Sequence, residues 1–160
     1  MHPAVLSDAE LLADCTRQAL RCGGPGGQHA QRTASGVRLV HAASGLVVEA
    51  DEHREAAANL RAALQRLRLL LACRLRGGSD PAWIRDLIVD GRLRCRPGAA
   101  RWPAVAAVLL DALAAADGDH RAAAQRLGLS PTQLVRALCA DPAVRRAADA
   151  LRRGRPPLRP

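Results

Sequence analysis

The period of the hydrophobic pattern changes near residue 51, and this change restricts the fold more than any other feature of the chain. Before it, segments 37–42 and 46–50 are rich in β-branched residues and flank an Ala-Ser-Gly turn, so they predict a β-hairpin. After it, the spacing of apolar residues predicts one long helix. Its leucines lie three or four residues apart, at Leu60, Leu64, Leu67, Leu71 and Leu75. The pattern predicts an α+β fold, with a small antiparallel sheet packed on a long helix and a helical C-terminal domain after it.

Local signals predict further elements on both sides of this region. Ser7 with Glu10 three residues later is the pattern of a capping box, which predicts a helix over 7–13, and segment 15–22 is a further strand candidate. Asp80 followed by Pro81 predicts the start of another helix. Segment 90–101 is rich in Gly, Pro and Arg and predicts a linker. The helices predicted beyond it cover 103–116, 120–127, 131–140 and 142–153, with a helix–turn–helix pattern in 118–138.

Composition restricts the class of protein. The formal net charge of +9 favours a polyanionic partner such as nucleic acid. The apolar run Ala104–Ala116 contains Asp111 and is too short to cross a bilayer, and the first residues lack the pattern of a signal peptide. The five cysteines form no CxxC pair, which argues against a disulfide framework and against zinc. We expect a soluble, cytoplasmic protein, a monomer, with no metal, no cofactor and no membrane partner.

The segment Gly23–Gln28 places four glycines and one proline directly before a glutamine. Taken alone, it predicts a flexible loop. It is not a P-loop, because Gln28 and His29 stand where Lys and Ser or Thr are needed, and it lacks the third glycine of a dinucleotide fingerprint. Cys22 near His29 allows a nucleophilic pair, but no acidic or amide residue to orient the histidine is evident.

With the residues that follow, this segment resembles the GGQ motif of bacterial class I peptide chain release factors and of single-domain ribosome-rescue hydrolases. The match runs from about residue 14 to 75. It continues through Thr33, Ser35, Val37-Arg38-Leu39, His41, Ser44-Gly45, Val47-Val48, Arg54 and Asn59. Gln31, Val40, Glu55 and Ala56 depart from the family pattern. The resemblance implies the fold of a release-factor GGQ domain.

The resemblance also implies an activity, which is hydrolysis of the peptidyl-tRNA ester on the ribosome without a covalent intermediate. Gln28 is not titratable near neutral pH and cannot be a general base. Its backbone N–H would stabilise the oxyanion while its side chain positions water, and Gly26 and Gly27 let backbone enter a crowded site. The implied partners are large-subunit ribosomal RNA and peptidyl-tRNA, with a glutamine methyltransferase that could modify Gln28.

Basic side chains supply the expected contacts to RNA phosphates. His29, Arg32 and Arg38 lie in or near the motif. A second group, at Arg54, Arg61 and Arg68, recurs every seven residues along the long helix. A third lies in the C-terminal tail, at Arg152, Arg153 and Arg155.

We therefore expect a GGQ catalytic domain over 1–76, a short helix and linker over 77–100, and a helix-turn-helix-like domain with a basic tail over 101–160. Because few residues precede the matching region, stop-codon reading is not expected, and codon-independent ribosome rescue is the leading hypothesis. The alternative is a non-catalytic ribosome- or nucleic-acid-binding protein with a degenerate GGQ domain. A general esterase ranks third.

Overall fold

The computed structural model describes residues 1–20 and 35–154. The chain divides into two compact units, Leu6–Leu67 and Met1–Val5 with Arg68–Pro160. The first holds a three-stranded antiparallel sheet and helices, and the second is mainly helical. The predicted α+β class is confirmed.

The first unit contains helix α1 (Asp8–Ala13) and strands β1 (Cys15–Leu20), β2 (Gly36–His41) and β3 (Val47–Ala50). The strands lie in the order β1-β2-β3, and both neighbouring pairs are antiparallel. The predicted hairpin is therefore present, with register pairs that run from Val37–Ala50 to Val40–Val47. The buried side chains of this hairpin are Val37, Leu39, His41 and Ala50.

Helix α1 begins with the predicted capping box. The Glu10 backbone N–H donates to the Ser7 hydroxyl at 3.2 Å, and the Ser7 N–H donates to the Glu10 carboxylate at 2.8 Å. These two bonds satisfy donors that the first turn of a helix leaves open. Both hydrogen bonds together hold the Glu10 pKa below its usual value.

Helix α2 (Ala56–Arg74) begins five residues after the change of period at residue 51. The residues just before it are not part of the helix. The His53 N–H, for example, donates to the Asn59 side chain instead of a helical carbonyl. Leu64, Leu67 and Leu71 are buried along this helix, as the leucine spacing predicts.

After α2, the second unit continues with the element whose start Asp80 and Pro81 predict. The Asp80 carboxylate accepts from the Ala82 N–H at 2.8 Å, but the segment Pro81–Leu87 is a 3₁₀ helix. Strands β4 (Ile88–Val89) and β5 (Arg92–Leu93) follow as a small hairpin. The predicted linker over 90–101 is therefore wrong in its first residues, where a hairpin turn and a strand lie.

Four helices complete this unit: α3 (Trp102–Ala114), α4 (His120–Leu127), α5 (Pro131–Cys139) and α6 (Pro142–Arg152). Helix α3 is buried along most of its length and forms the centre of the core. The later helices begin at side-chain caps, whose acceptors are Asp119, Ser130 and Asp141. Gly128 closes α4 with φ +67°, a left-handed conformation that glycine adopts without strain. The predicted helix–turn–helix arrangement is confirmed in α4 and α5.

One charged residue lies in the middle of the apolar helix α3. Asp111 forms an ion pair with Arg76 at 3.3 Å and accepts from the Gly77 N–H at 3.0 Å. It also accepts from the Ser79 hydroxyl at 2.6 Å and from the Ser79 N–H at 3.3 Å. The Asp111 and Arg76 side chains are 13% and 8% exposed. This network ties the segment after α2 to the core of the second unit.

The cysteines of the described residues, Cys15, Cys73, Cys95 and Cys139, are free thiols. Burial raises the pKa of the Cys73 thiol to about 11, so it is protonated at neutral pH. Within residues 1–20 and 35–154, no group of His, Cys, Asp and Glu side chains has the arrangement of a metal site. Nor does any helix there combine the length and the apolar character needed to cross a membrane.

Candidate functional site

The motif itself lies outside the described residues, and so do His29, Arg32, Cys22 and Gln31. The structure instead shows the two strands that precede and follow it. Leu20, the last residue of β1, pairs with Gly36, the first residue of β2. The chain therefore leaves the sheet at Leu20 and re-enters it at Gly36, at neighbouring strand ends.

Gly36 allows the two strand ends to approach closely. A β-carbon at this position would lie 2.9 Å from Leu20 Cβ, 3.1 Å from the Leu20 carbonyl oxygen and 3.3 Å from Asp51 Cβ. All three neighbours are atoms on or next to the backbone, so the strands themselves would have to move. Glycine at position 36 therefore sets the distance between the ends of β1 and β2.

Gly36→Ala is expected to push the ends of β1 and β2 apart and to slow any reaction that depends on the motif. Overpacking of this kind costs about 1–3 kcal/mol of stability. Gly98→Ala is a matched control, since Gly98 has open space but φ +87°, where a side chain costs about 1–2 kcal/mol. Urea unfolding and peptide release are measured for both. Equal release rates for the two variants would show that the strand ends do not position the motif.

Asn59 holds the residue just before β2 in place from the long helix. It is fully buried in the first turn of α2. Its side-chain NH₂ donates to the Ser35 and His53 carbonyl oxygens, both at 2.8 Å, and its oxygen accepts from the His53 N–H at 2.9 Å. One carboxamide therefore joins the residue before β2, the turn after β3 and the start of the long helix.

Arg66 fixes the same turn at its other end. Its guanidinium donates to the Glu49 carbonyl oxygen at 2.6 Å and to both oxygens of the Glu52 carboxylate, at 2.7 and 3.2 Å. The sequence pattern did not predict this role for Arg66. The available signal was an arginine next to Leu67 of the leucine stripe, with acidic residues upstream, and this pattern is too common to identify a hydrogen bond.

His41 and Arg38 are family-matching residues of β2 with different surroundings. His41 is buried, and its Nδ1 lies 2.7 Å from the Ser44 hydroxyl in the turn to β3. Burial lowers the pKa of His41, with Asp14 acting in the opposite direction. Arg38 is partly exposed and forms an ion pair with Glu49 at 3.3 Å across the hairpin. The Glu49 carboxylate therefore partly neutralises the charge of Arg38.

The predicted arginine stripe of α2 is only partly exposed. Arg54 and Arg61 are exposed, although Arg54 precedes the helix. Arg68 is buried, with 7% of its surface exposed, so it does not join the others on an open face. Arg152 and Arg153 are exposed at the end of α6, and Arg155 lies outside the described residues.

Comparison with known protein families finds two separate matches. Residues 11–79 match the RF-1 domain, and residues 106–139 match bacterial regulatory proteins of the Fis family. The first match contains the sheet, the motif and α2. The second contains most of α3, then α4 and α5, which are the helices of the helix–turn–helix arrangement.

Three similar proteins are peptide chain release factors or a homolog of one. A peptide chain release factor homolog of Escherichia coli is 43% identical over 70 residues, which are 43% of this chain and 32% of the relative. Peptide chain release factor 1 of Dictyoglomus thermophilum and that of Dictyoglomus turgidum are each 41% identical over 58 residues, or 36% of this chain and 16% of the relative. The chain thus spans about a third or less of these relatives. In its N-terminal region, where the RF-1 match and the sheet–helix unit coincide, the chain is similar to peptide chain release factors.

Proposed function

We propose that this protein hydrolyses the ester bond of peptidyl-tRNA on the ribosome, in the cytoplasm and without reading a codon. The observation that carries the proposal is the frame around the motif segment. Leu20 pairs with Gly36, and Asn59 binds the Ser35 carbonyl, so the described residues on either side of the sequence segment with Gly26, Gly27 and Gln28 are held together. The RF-1 match over residues 11–79 supports the same function.

Each motif residue has a role that its chemistry allows. Gly26 and Gly27 supply backbone without side chains, and the Gln28 N–H donates to the developing oxyanion. Such a donor contributes about 3–4 kcal/mol, or roughly 10²–10³ in rate. The Gln28 carboxamide orients the attacking water. Methylation of Gln28 by a glutamine methyltransferase belongs to this proposal.

Contacts to ribosomal RNA come from the exposed or motif-adjacent basic residues. Arg54 and Arg61 are the exposed pair after β3, while His29 and Arg32 flank Gln28 in sequence. Arg38 contributes less charge, because Glu49 lies within 3.3 Å. The division into 1–76, 77–100 and 101–160 and the monomeric state remain predictions.

We propose codon independence from the part of the chain that follows the RF-1 match. The described residues that follow the match fold into the 3₁₀ helix, the small hairpin and α3–α6. Of these elements, most of α3 and all of α4 and α5 lie in the Fis-family match.

The test compares three ribosome complexes that carry the same peptidyl-tRNA. One has an mRNA that ends before the decoding site, one has a sense codon there, and one has a stop codon. Purified protein is expected to release peptide from the first complex, and no faster on the stop codon than on the sense codon. Release that requires the stop codon would contradict the proposal, and so would the absence of release from all three.

A second candidate function is nucleic-acid binding without hydrolysis. The α4–α5 arrangement and its family match favour it. The exposed side chains at the start of α5 include Thr132, Val135 and Arg136, with Gln133 half-buried. This set offers few groups for reading bases in a groove. Protein that sediments with ribosomes yet never releases peptide would favour the second candidate.

A further inference from the structure

Helix α6 presents a cationic face that lies beyond the Fis-family match, which ends at residue 139. Val144 and Ala148 are buried and pack this helix on the core. The arginines of α6 and its C-cap are all exposed: Arg145, Arg146, Arg152 and Arg153. Arg145 and Arg146 form one exposed pair, and Arg152 and Arg153 form a second pair seven residues later. Another side of the same helix, with Val144 and Ala148, is held in the core.

Some exposed arginines of this protein are neutralised by ion pairs, but within the described residues no ion pair is seen for these four. Arg66 and Arg101 are exposed but bind Glu52 and Asp86. Within the described residues, no acidic side chain lies within 4.0 Å of the charged groups of the four α6 arginines. Asp149 is the one acid inside the group, three or four residues from each of them, and it is half-buried. The face keeps a net positive charge.

The helix dipole favours one of these two pairs of arginines and not the other. Positive side chains are favourable near a helix C-terminus and unfavourable near its N-terminus. Arg152 and Arg153 lie at the C-terminal end of α6, whereas Arg145 and Arg146 lie four and five residues after the Asp141 cap. The dipole therefore gives no reason for Arg145 and Arg146.

The helix is also held firmly. A β-carbon at Gly118 would lie 3.3 Å from the Arg152 Cα, so the turn before α4 packs directly on the end of α6. The backbone that carries these arginines is therefore ordered before any ligand binds, so binding does not have to order it. The face is therefore suited to a repeating anion.

We propose that the α6 face of Arg145, Arg146, Arg152 and Arg153 binds the phosphate backbone of structured RNA without reading sequence. The few polar groups exposed on α5 argue for backbone contact, because backbone contacts position a protein but carry no sequence information. The choice of RNA over DNA rests on the proposed ribosomal function. Counterion release makes such binding depend steeply on salt.

The test uses the full chain, a fluorescent RNA stem-loop of arbitrary sequence and a DNA duplex with the same base pairs. Anisotropy gives Kd across a salt series. Arg146→Ala/Arg153→Ala is expected to lower the slope of log K against log salt by about 1.4–1.8, which is about 0.7–0.9 for each phosphate that is no longer neutralised. Asp149→Asn, which removes the acid within the face, is expected to tighten binding. Both variants are checked for an unchanged melting temperature.

The matched control is Arg94→Ala/Arg96→Ala, which removes the same charge from exposed positions outside α6. If the two double variants weaken binding equally, the effect is net charge and the α6 face is not a site. Tighter binding to DNA than to RNA with the same α6 dependence would overturn the RNA partner. All titrations are repeated with Gln28→Ala, so loss of hydrolysis and loss of α6 binding are separate results.

Discussion

Asp111→Ala is expected to lower the free energy of unfolding by about 3–5 kcal/mol, since removing one partner of a buried ion pair leaves the other charge uncompensated. Arg76 would keep its charge in a site where 8% of its side chain is exposed. Burial already lowers the pKa of Arg76, and Asp111 is the main group that opposes this shift. The substitution also leaves the Gly77 and Ser79 N–H groups without their acceptor.

The measurement is urea unfolding of three variants. Arg76→Met/Asp111→Leu removes both charges and is expected to recover most of the stability, because a buried pair is often replaceable by apolar groups. Asp86→Ala breaks the exposed pair with Arg101 and is expected to change stability little. If the double variant is as unstable as Asp111→Ala, Asp111 stabilises the protein through the packing of α3 and not by compensating the buried charge of Arg76.

Asn59→Leu is expected to have the second largest effect and to reduce activity as well as stability. The His53 N–H and the Ser35 carbonyl oxygen would lose a buried partner, and each such group costs about 1–3 kcal/mol. The base of the motif segment would then shift, and a displacement of about 1 Å in a catalytic group can cost on the order of 10² in rate. Unfolding and single-turnover release are measured together, well below the melting temperature.

Two comparisons make this prediction specific. Gln65→Leu removes a carboxamide from an exposed position of the same helix and is expected to leave both measurements unchanged. Asn59→Asp keeps the acceptor for the His53 N–H but places a carboxylate against two carbonyl oxygens, so it is expected to fail like the leucine variant. A stable and active Asn59→Asp protein would show that the two donated bonds are dispensable.

The elements with strong local signals could be predicted from the sequence. The β2–β3 hairpin follows from its β-branched residues and turn, and α1 from Ser7 and Glu10. Helices α4 and α5 follow from their caps and the glycine between them. In each case the residues that determine the structure lie within a few positions of one another.

The β4–β5 hairpin was missed although a signal existed. Asp90 and Gly91 have φ +49° and +68°, and an Asp-Gly pair between short apolar segments is a strong turn signal. The abundance of Gly, Pro and Arg around it favoured a linker instead. Strands of two residues are too short for alternation to be visible.

The predicted stripe of arginines is not one exposed row, because of where its members lie. Arg68 lies four residues after Leu64 and three before Leu71, next to both buried leucines. Arg54 stands before α2 begins. The start of α2 could not be predicted, and neither could the hydrogen bonds of Asn59 and Arg66. The bond of Asn59 to Ser35 and those of Arg66 join residues far apart in sequence.

Gln28 is the residue on which the proposed hydrolysis depends most directly. Single-turnover release of peptide from ribosomes stalled on truncated mRNA is measured for wild type, Gln28→Ala and Gln125→Ala, the last a glutamine exposed on α4. The expected result is rapid release by wild type and Gln125→Ala and a rate lower by on the order of 10² for Gln28→Ala. Equal release by all three proteins, or no release by wild type, would contradict the proposed function.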